Sequence, residues 1–244
     1  MITLTTIVID PGHGGKDPGA VANGLQEKNI TLTIAQKVAE LLRAQKLNVI
    51  MTRTTDTFVD LSSARTPKCD ISVSIHVNAG GGQGLETWVS LFNQPAKSKQ
   101  LGQAIQDNIL KLVPFKNRGL KTKANSANNA DYLYMLRNAK GVPVLVECGF
   151  IDNAVDANIL KAPSNLAKIA DGIANGVLEY LGIKKEPEKV DIKGALKTKA
   201  FFEGREMAGY IIDGKTFVEL RQLCEAAGFK VTWNENIFGT EVKR

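Results

Sequence analysis

The two histidines of the chain occur in matching contexts, and both are candidates for metal binding. His13 follows a short apolar run at 7–9 and stands among glycines. His76 follows a second apolar segment at 71–75, and three glycines come shortly after it. Ligands bind beyond the carboxyl ends of the strands in open α/β sheets, so two parallel strands would bring both imidazoles to one edge. Neutral imidazole is the commonest biological metal ligand, and the pair therefore predicts a metal site.

A glutamate is a candidate third ligand. Glu27 begins a segment whose apolar residues recur at helical spacing, at Ile30, Ile34, Val38, Leu41 and Leu42. A carboxylate at that position either stabilises the positive end of the helix dipole or binds the metal. Two histidines and one carboxylate, with one position left open, are typical of catalytic zinc. Such a zinc ion lowers the pKa of water toward about 7 and polarises a carbonyl.

A second glutamate is a candidate proton acceptor. Glu147 directly follows the continuous apolar run at 142–146, which predicts a buried central strand. A carboxyl in an apolar setting has a raised pKa, which suits a general base. We expect Glu147 to accept a proton from the attacking water and to pass it to the leaving nitrogen.

Apolar patterning predicts the elements that would position these groups. Short apolar or alternating runs predict strands at 7–9, 47–52, 71–76, 85–92, 132–136 and 142–146. Helical periodicity predicts helices at 27–46, 61–66, 95–113 and 164–181. Residues 116–129 are rich in Asn and Lys and predict a long polar loop, a length at which loops are often functional. This alternation of strands and helices is that of an α/β fold.

The chain divides into two predicted domains. The charged, proline-containing stretch at 183–191 predicts a linker between a domain at 1–182 and a small α+β module at 192–244. In the module, an Asp-Gly turn between apolar runs predicts a hairpin at 209–217. A helix is expected at 218–227, followed by a closing hairpin made of 229–233 and 237–242.

Composition narrows the class of protein. The 244-residue chain has a net charge of +6, but its basic residues form no cluster with aromatics, which argues against nucleic-acid binding. No apolar run is long enough to span a bilayer, and no signal peptide is visible. The three cysteines are far apart and predict small buried side chains rather than a disulfide framework.

Several motifs together resemble the zinc-dependent N-acetylmuramoyl-L-alanine amidases of the amidase-3 type. They lie at 8–19, 27–28, 52–53, 74–78 and 146–150, and the resemblance covers about residues 4–182. It implies a mostly parallel six-stranded sheet flanked by helices. It also implies cleavage of peptidoglycan at the amide between the lactyl group of N-acetylmuramic acid and the L-alanine of the stem peptide. By this resemblance one zinc ion is held by His13, Glu27 and His76, and Glu147 is the catalytic glutamate.

The C-terminal module is similar to the stalk module named after the N-terminal domain of copper amine oxidase. The similarity rests on 211–221 and 227–233, and it implies no copper because the module has no histidine. The combination resembles a phage endolysin released through a holin pore, or an autolysin without its signal. We expect the protein to act on the bacterial cell wall, with peptidoglycan as its partner and no membrane insertion. The module is expected to bind the wall or to mediate self-association.

Two other functions are also compatible with the sequence. The chain could be a non-catalytic wall-binding protein, or a cysteine amidase with Cys148 as the nucleophile, which would need a histidine base.

Four further residues are candidates for roles near the site. Asn78 either contacts the substrate or orients a metal ligand, and Glu86 either lines a glycan groove or lies on a solvated face. Arg53 and Arg65 match arginines of the family and are expected to pair with carboxylates such as Asp56, which would fix loop geometry.

Overall fold

The chain forms two compact units, Met1–Pro187 and Glu188–Arg244, and each is described by itself. The structure, a computed structural model, describes residues 5–62, 65–184, 196–202, 205–212, 215–218, 230–234 and 239–243. Among the helices that it describes, none combines the length and apolar character needed to cross a membrane.

The first unit is built on a six-stranded sheet. The strands of this unit are β1 (Thr6–Pro11), β2 (Val21–Ala22), β3 (Leu25–Gln26), β4 (Asn48–Met51), β5 (Ile71–Asn78), β6 (Leu85–Val89), β7 (Asn117–Lys121) and β8 (Val142–Phe150). Strands β2 and β3 form a separate small hairpin, and the other six form the sheet. The spatial order is β4-β1-β5-β8-β6-β7. Neighbouring strands are parallel except for β6 and β8, which are antiparallel. The α/β fold and the mostly parallel six-stranded sheet are thereby confirmed.

Five helices accompany this sheet: α1 (Glu27–Ala44), α2 (Pro95–Leu112), α3 (Tyr134–Asn138), α4 (Ala154–Lys161) and α5 (Pro163–Leu181). The long helices α1, α2 and α5 share one apolar core with alternate residues of the strands, including Val73, Ile75, Val144 and Val146. The small helix α3 packs Met135 and Leu136 on Leu145, which belongs to a separate cluster. Because side chains alternate along a strand, Leu145 faces away from the main core, and α3 covers that second face of the sheet.

The second face is polar toward the carboxyl ends of β1 and β5. Asp10 and Ser74 are both fully buried there, and the Ser74 hydroxyl donates to Oδ2 of Asp10 at 2.7 Å. The alternation that directs Val73 and Ile75 into the apolar core directs His76 to this polar face. The strand pattern itself therefore separates the core from the face where chemistry is expected.

Several predicted elements of the first unit are wrong. The strand predicted at 132–136 is replaced by α3, since a short apolar run suits a helix as well as a strand. The predicted helix at 61–66 is turn and bend in its described residues. The predicted loop at 116–129 contains the edge strand β7, whose pairing with β6 outweighs its polar composition. Strand β8 continues to Phe150, so Glu147 lies within the strand and not after it.

The second unit contains five described strands: β9 (Leu196–Phe202), β10 (Arg205–Ile212), β11 (Lys215–Val218), β12 (Lys230–Asn234) and β13 (Gly239–Lys243). Strands β9, β10 and β11 form an antiparallel sheet, and the pairing of β10 with β11 confirms the two strands of the predicted hairpin. Its Asp-Gly turn lies outside the described residues. Strands β12 and β13 pair as the predicted closing hairpin. The helix expected at 218–227 lies, apart from Val218, outside the described residues.

Candidate metal centre and active site

Three side chains from three elements meet at the carboxyl edge of the sheet. His13 follows β1, Glu27 is the first residue of α1, and His76 lies near the end of β5. One ligand atom from each lies within 4.8 Å of the other two. The two imidazole rings are 5.0 Å apart between centroids and nearly perpendicular, at 80°. The matching sequence contexts of the two histidines correspond to this convergence.

Glu27 joins the two histidines. Its Oε2 lies 3.2 Å from Nε2 of His13, and its Oε1 lies 2.9 Å from Nδ1 of His76. The backbone N–H groups of Ala20 and Val77 donate to Oε2 and Oε1, at 2.9 and 3.0 Å. Burial alone would raise the pKa of Glu27, but the hydrogen bonds and charges of the two histidines hold it far below its usual range. Glu27 is therefore an ionised, buried carboxylate.

His13 is oriented by a second carboxylate. Its Nδ1 donates to Oδ2 of Asp17 at 2.8 Å, which leaves Nε2 directed at Glu27. Burial alone would lower the pKa of His13, but hydrogen bonds and charges from Glu27 and Asp17 raise it to about 9. The site thus favours positive charge, which a cation would supply in place of the proton. Carboxylates that fix the tautomer of a ligating histidine are a general feature of metal sites.

Two glycines leave space around these side chains. A Cβ atom added to Gly12 would lie 2.4 Å from Cε1 of His76, and one added to Gly19 would lie 2.6 Å from Oε2 of Glu27. Larger residues at either position would displace a ligand side chain. The donor set and this close backbone approach together fit a bound metal ion.

Glu147 lies beside the three ligands. It is paired with His76 in the parallel register of β5 and β8, so both side chains project from the same face of the sheet. Its Oε2 atom is buried and makes no hydrogen bond to any described residue. Burial raises the pKa of Glu147 to about 7. A carboxyl that exchanges a proton near neutral pH suits general acid–base catalysis.

Comparison with known proteins identifies the family. The sequence profile described as N-acetylmuramoyl-L-alanine amidase, of the amidase-3 type, matches residues 7–179. The chain belongs to this amidase family. It is 38% identical over 207 residues to the sporulation-specific N-acetylmuramoyl-L-alanine amidase of Bacillus subtilis, covering 81% of this chain and 77% of the relative.

Two further relatives extend this comparison. The endolysin of Bacillus phage SPP1 is 39% identical over 203 residues, covering 78% of this chain and 73% of the endolysin. The solved catalytic domain of CwlV, the N-acetylmuramoyl-L-alanine amidase of Bacillus (Paenibacillus) polymyxa, superposes with a TM-score of 0.65 at 31% identity. That superposition covers 74% of this chain and all of the solved domain.

In this amidase-family chain, Asn78 and Glu86 contact each other. Glu86 is opposite Glu147 in the antiparallel register of β6 and β8, and it is only 3% exposed. Its Oε1 accepts from Nδ2 of Asn78 at 3.0 Å, and its Oε2 accepts from Nε of Arg118 at 2.6 Å. Glu86 therefore does not lie on a solvated face. Sequence reasoning missed Arg118, since it lies in the stretch taken for a loop and no motif marks it.

The two arginines of the family motifs stabilise the loop after β1. Arg53 donates to the backbone carbonyls of Pro11 and Gly12, at 3.1 and 2.9 Å. Arg65 pairs with the buried Asp10, with Nε 3.2 Å from Oδ1. The expected carboxylate pairing is thus confirmed for Arg65. It is wrong for Arg53, whose hydrogen bonds go to backbone carbonyl groups and to the hydroxyl of Thr31.

The environment of Cys148 disfavours a nucleophilic role. The residue is fully buried in the apolar core, and burial strongly raises the pKa of its thiol. The thiolate is the reactive form of cysteine, so this thiol is held in its inert state. The prediction of a small buried side chain is confirmed for Cys148, and Cys69 is partly buried.

Proposed function

We propose that the chain is a zinc-dependent peptidoglycan hydrolase of the N-acetylmuramoyl-L-alanine amidase type. It would cleave the amide between the lactyl group of N-acetylmuramic acid and the L-alanine of the stem peptide. The observation that supports this proposal is the convergence of His13, Glu27 and His76, with Glu147 beside them on the neighbouring strand.

The three converging side chains would hold one zinc ion per catalytic domain. Two imidazole nitrogens and one carboxylate match the donors of catalytic zinc sites, which keep a position open for substrate or water. When bound, zinc would polarise the scissile carbonyl and lower the pKa of the attacking water. Asp17 would hold the His13 ring in place, and the N–H groups of Ala20 and Val77 would hold the Glu27 carboxylate.

Glu147 would act as the general base and then as the general acid. Its buried, unpaired Oε2 is free to accept a proton from the attacking water. The same carboxyl would then donate that proton to the amide nitrogen, which leaves as an amine. A pKa near 7 favours both steps, because a group that titrates near the working pH both accepts and releases protons efficiently.

The two other candidate functions have less support. A cysteine mechanism would need an accessible thiolate and a histidine base, whereas Cys148 is buried and both histidines contact Glu27. A wall-binding protein without activity would not need a complete ligand set beside an unpaired carboxyl. The amidase assignment uses both histidines, Glu27 and the carboxyl of Glu147.

The cell wall is the proposed place of action. A similar protein is the endolysin of a Bacillus phage, so release through a holin pore is one route, and secretion as an autolysin is the other. The second unit, Glu188–Arg244, would bind the wall or mediate self-association, in line with its resemblance to the stalk module of copper amine oxidase.

Digestion of purified cell walls tests the proposal. The zinc-loaded protein is expected to lower wall turbidity and to release stem peptides with a free N-terminal alanine, identified by mass spectrometry. EDTA is expected to abolish the activity, and added zinc is expected to restore it. Cleavage that survives EDTA, or new ends at a glycosidic bond or within the stem, would contradict the assignment.

A further inference from the structure

Four polar side chains form a row across four neighbouring strands of the sheet. His76 on β5 pairs with Glu147 on β8, and Glu147 pairs with Glu86 on β6. Arg118 on the edge strand β7 then bonds to Glu86. Paired residues on adjacent strands project from the same face, so the row extends from the metal centre toward the sheet edge.

The Glu86–Arg118 pair leaves part of the guanidinium free. Glu86 is buried, and both of its oxygens are engaged, by Asn78 and by Nε of Arg118. No described residue bonds to Nη1 or Nη2 of Arg118, and a third of its side chain is exposed to solvent, at 33%. The outer N–H groups of a guanidinium match the two oxygens of a carboxylate.

An aromatic ring packs against this guanidinium. Cζ of Arg118 lies 4.8 Å from the centre of the Phe150 ring. The glycine loop after β5 approaches the same ring so closely that a Cβ added to Gly82 would lie 2.3 Å from Cε1 of Phe150. The carboxylate of Asp152 holds this loop, since it accepts from the N–H groups of Gly80 and Gly81 at 2.8 Å. Arg118 is thus held on two sides before any ligand arrives.

We propose that Arg118 binds a carboxylate of the substrate's peptide stem and so selects acidic stems. This inference rests on the proposed amidase function. Two members of the row, Glu147 and Glu86, are acidic and would repel an anionic stem. Arg118 is the cation that compensates at the far end of the row. A peptide stem offers such a group in its acidic side chains and at its C-terminus.

The spacing of the strands fits this assignment. Adjacent strands lie about 4.8 Å apart, so the backbone of Arg118, three strands from His76, is about 14 Å away. An extended peptide advances about 3.4 Å per residue. The carboxylate would therefore belong to one of the first few residues of the stem, with the scissile amide at the metal centre.

The test compares two synthetic N-acetylmuramoyl peptides, one with free stem carboxylates and one with carboxamides in their place. Zinc-loaded protein with Glu147→Gln is used, because it is expected to bind the peptides without cleaving them. Calorimetry then gives Kd for each ligand. Adding Arg118→Gln is expected to raise Kd about tenfold for the carboxylate peptide, as for loss of a partly exposed charge-assisted hydrogen bond. The carboxamide peptide is expected to keep its Kd within about twofold, since it makes no ion pair with the guanidinium.

Two control variants keep the result interpretable. Lys121→Gln removes a cation of the same strand that pairs with Trp88 and not with Glu86, and it is expected to leave both affinities unchanged. Arg118→Gln alone leaves the Glu86 carboxylate buried without its cation, which is destabilising. The double change Glu86→Gln and Arg118→Gln removes both charges, and it is expected to lose the preference for the carboxylate peptide while remaining folded.

The outcomes separate this inference from the proposed function. Equal affinity of the parent protein for the two peptides, or an equal loss for both on Arg118→Gln, would overturn the role of Arg118 alone. If the Glu147→Gln protein binds both peptides but the wild-type protein cleaves neither, the amidase proposal is overturned and the binding comparison remains valid. Failure to bind either peptide would overturn both.

Discussion

Glu147 lies directly opposite His76 in the parallel pairing of β5 and β8. The candidate base and a candidate metal ligand are therefore held at the spacing of adjacent strands, about 4.8 Å between backbones. A shift of one residue in this register would turn Glu147 into the apolar core, so the packing of the core also maintains the site. The pairing becomes irregular directly after His76, and such irregularities are common beside active sites.

Metal binding is expected to depend on the carboxylate of Glu27. Glu27→Gln replaces an ionised ligand by a neutral amide, and His76→Ala removes an imidazole. The wild-type protein is expected to hold one zinc per chain and both variants are expected to lose it, as measured by atomic emission. Glu40→Gln changes an exposed glutamate on the same helix and should retain the metal. Full zinc content in the His76→Ala variant would show that the ligand set is wrong.

Glu147→Gln is expected to separate metal binding from turnover. The amide keeps the shape of the side chain but cannot accept the proton of the attacking water. We expect unchanged zinc content and an unchanged circular dichroism spectrum, with a loss of rate of about a hundredfold to ten-thousandfold. Wall digestion at close to the wild-type rate would mean that another carboxylate is the base.

The pH dependence of the rate should report the same group. Glu147 must be ionised to act as a base, and burial raises its pKa to about 7. We therefore expect kcat/KM to rise with pH, to be half-maximal near the pKa of about 7 and to level off above it. The positive charge of a bound cation would shift this midpoint to lower pH. Measurement of kcat/KM between pH 5 and pH 9 tests this, at about half-unit steps. A rate that falls across the acid range as pH rises would contradict the role of Glu147.

The convergence of the three candidate metal ligands was predictable from the sequence because each lies on a regular element or shortly after one. The apolar runs before His13 and His76 and the periodicity after Glu27 specify two strands and a helix without tertiary information. Arg118 was not predictable, since its partner Glu86 is 32 positions away and reaches it only through the pairing of β6 with β7. The burial of Glu86 was not predictable either, because a charged residue in a strand does not indicate which neighbouring side chains cover it.

The orientation of His13 also arises from a local loop contact that the sequence pattern does not reveal. Asp17 lies four positions on, in a loop with no helical spacing, and its Oδ2 accepts from Nδ1 of His13 at 2.8 Å. Asp17→Asn is expected to weaken zinc affinity by about tenfold to a hundredfold, as for other changes to residues that orient metal ligands. Competition with a chromogenic chelator measures this.

A neighbouring aspartate provides the matched control for Asp17. Asp56 is exposed and bonds to Lys28 and to the N–H group of Gly15, with no bond to a candidate ligand. Asp56→Asn is therefore expected to leave zinc affinity within about twofold of the wild-type value, since it does not alter how a metal ligand is oriented. Equal effects of the two changes would mean that loop charge, and not the orientation of His13, explains the loss.

The division of labour between the two units gives the last prediction. All four proposed catalytic groups and the helices that enclose the core lie within Met1–Pro187. A protein truncated after Pro187 is expected to cleave soluble muropeptides at the rate of the full chain. It should lose pelleting with intact walls, or lose self-association as measured by light scattering.

The second unit is not expected to attach to the wall by bulk electrostatics, because basic and acidic residues nearly balance in 183–244. Physiological salt would screen bulk electrostatic binding, whereas attachment through a folded surface should persist. If the truncated protein binds walls as tightly as the full chain and also keeps its oligomeric mass, both roles assigned to the second unit are wrong.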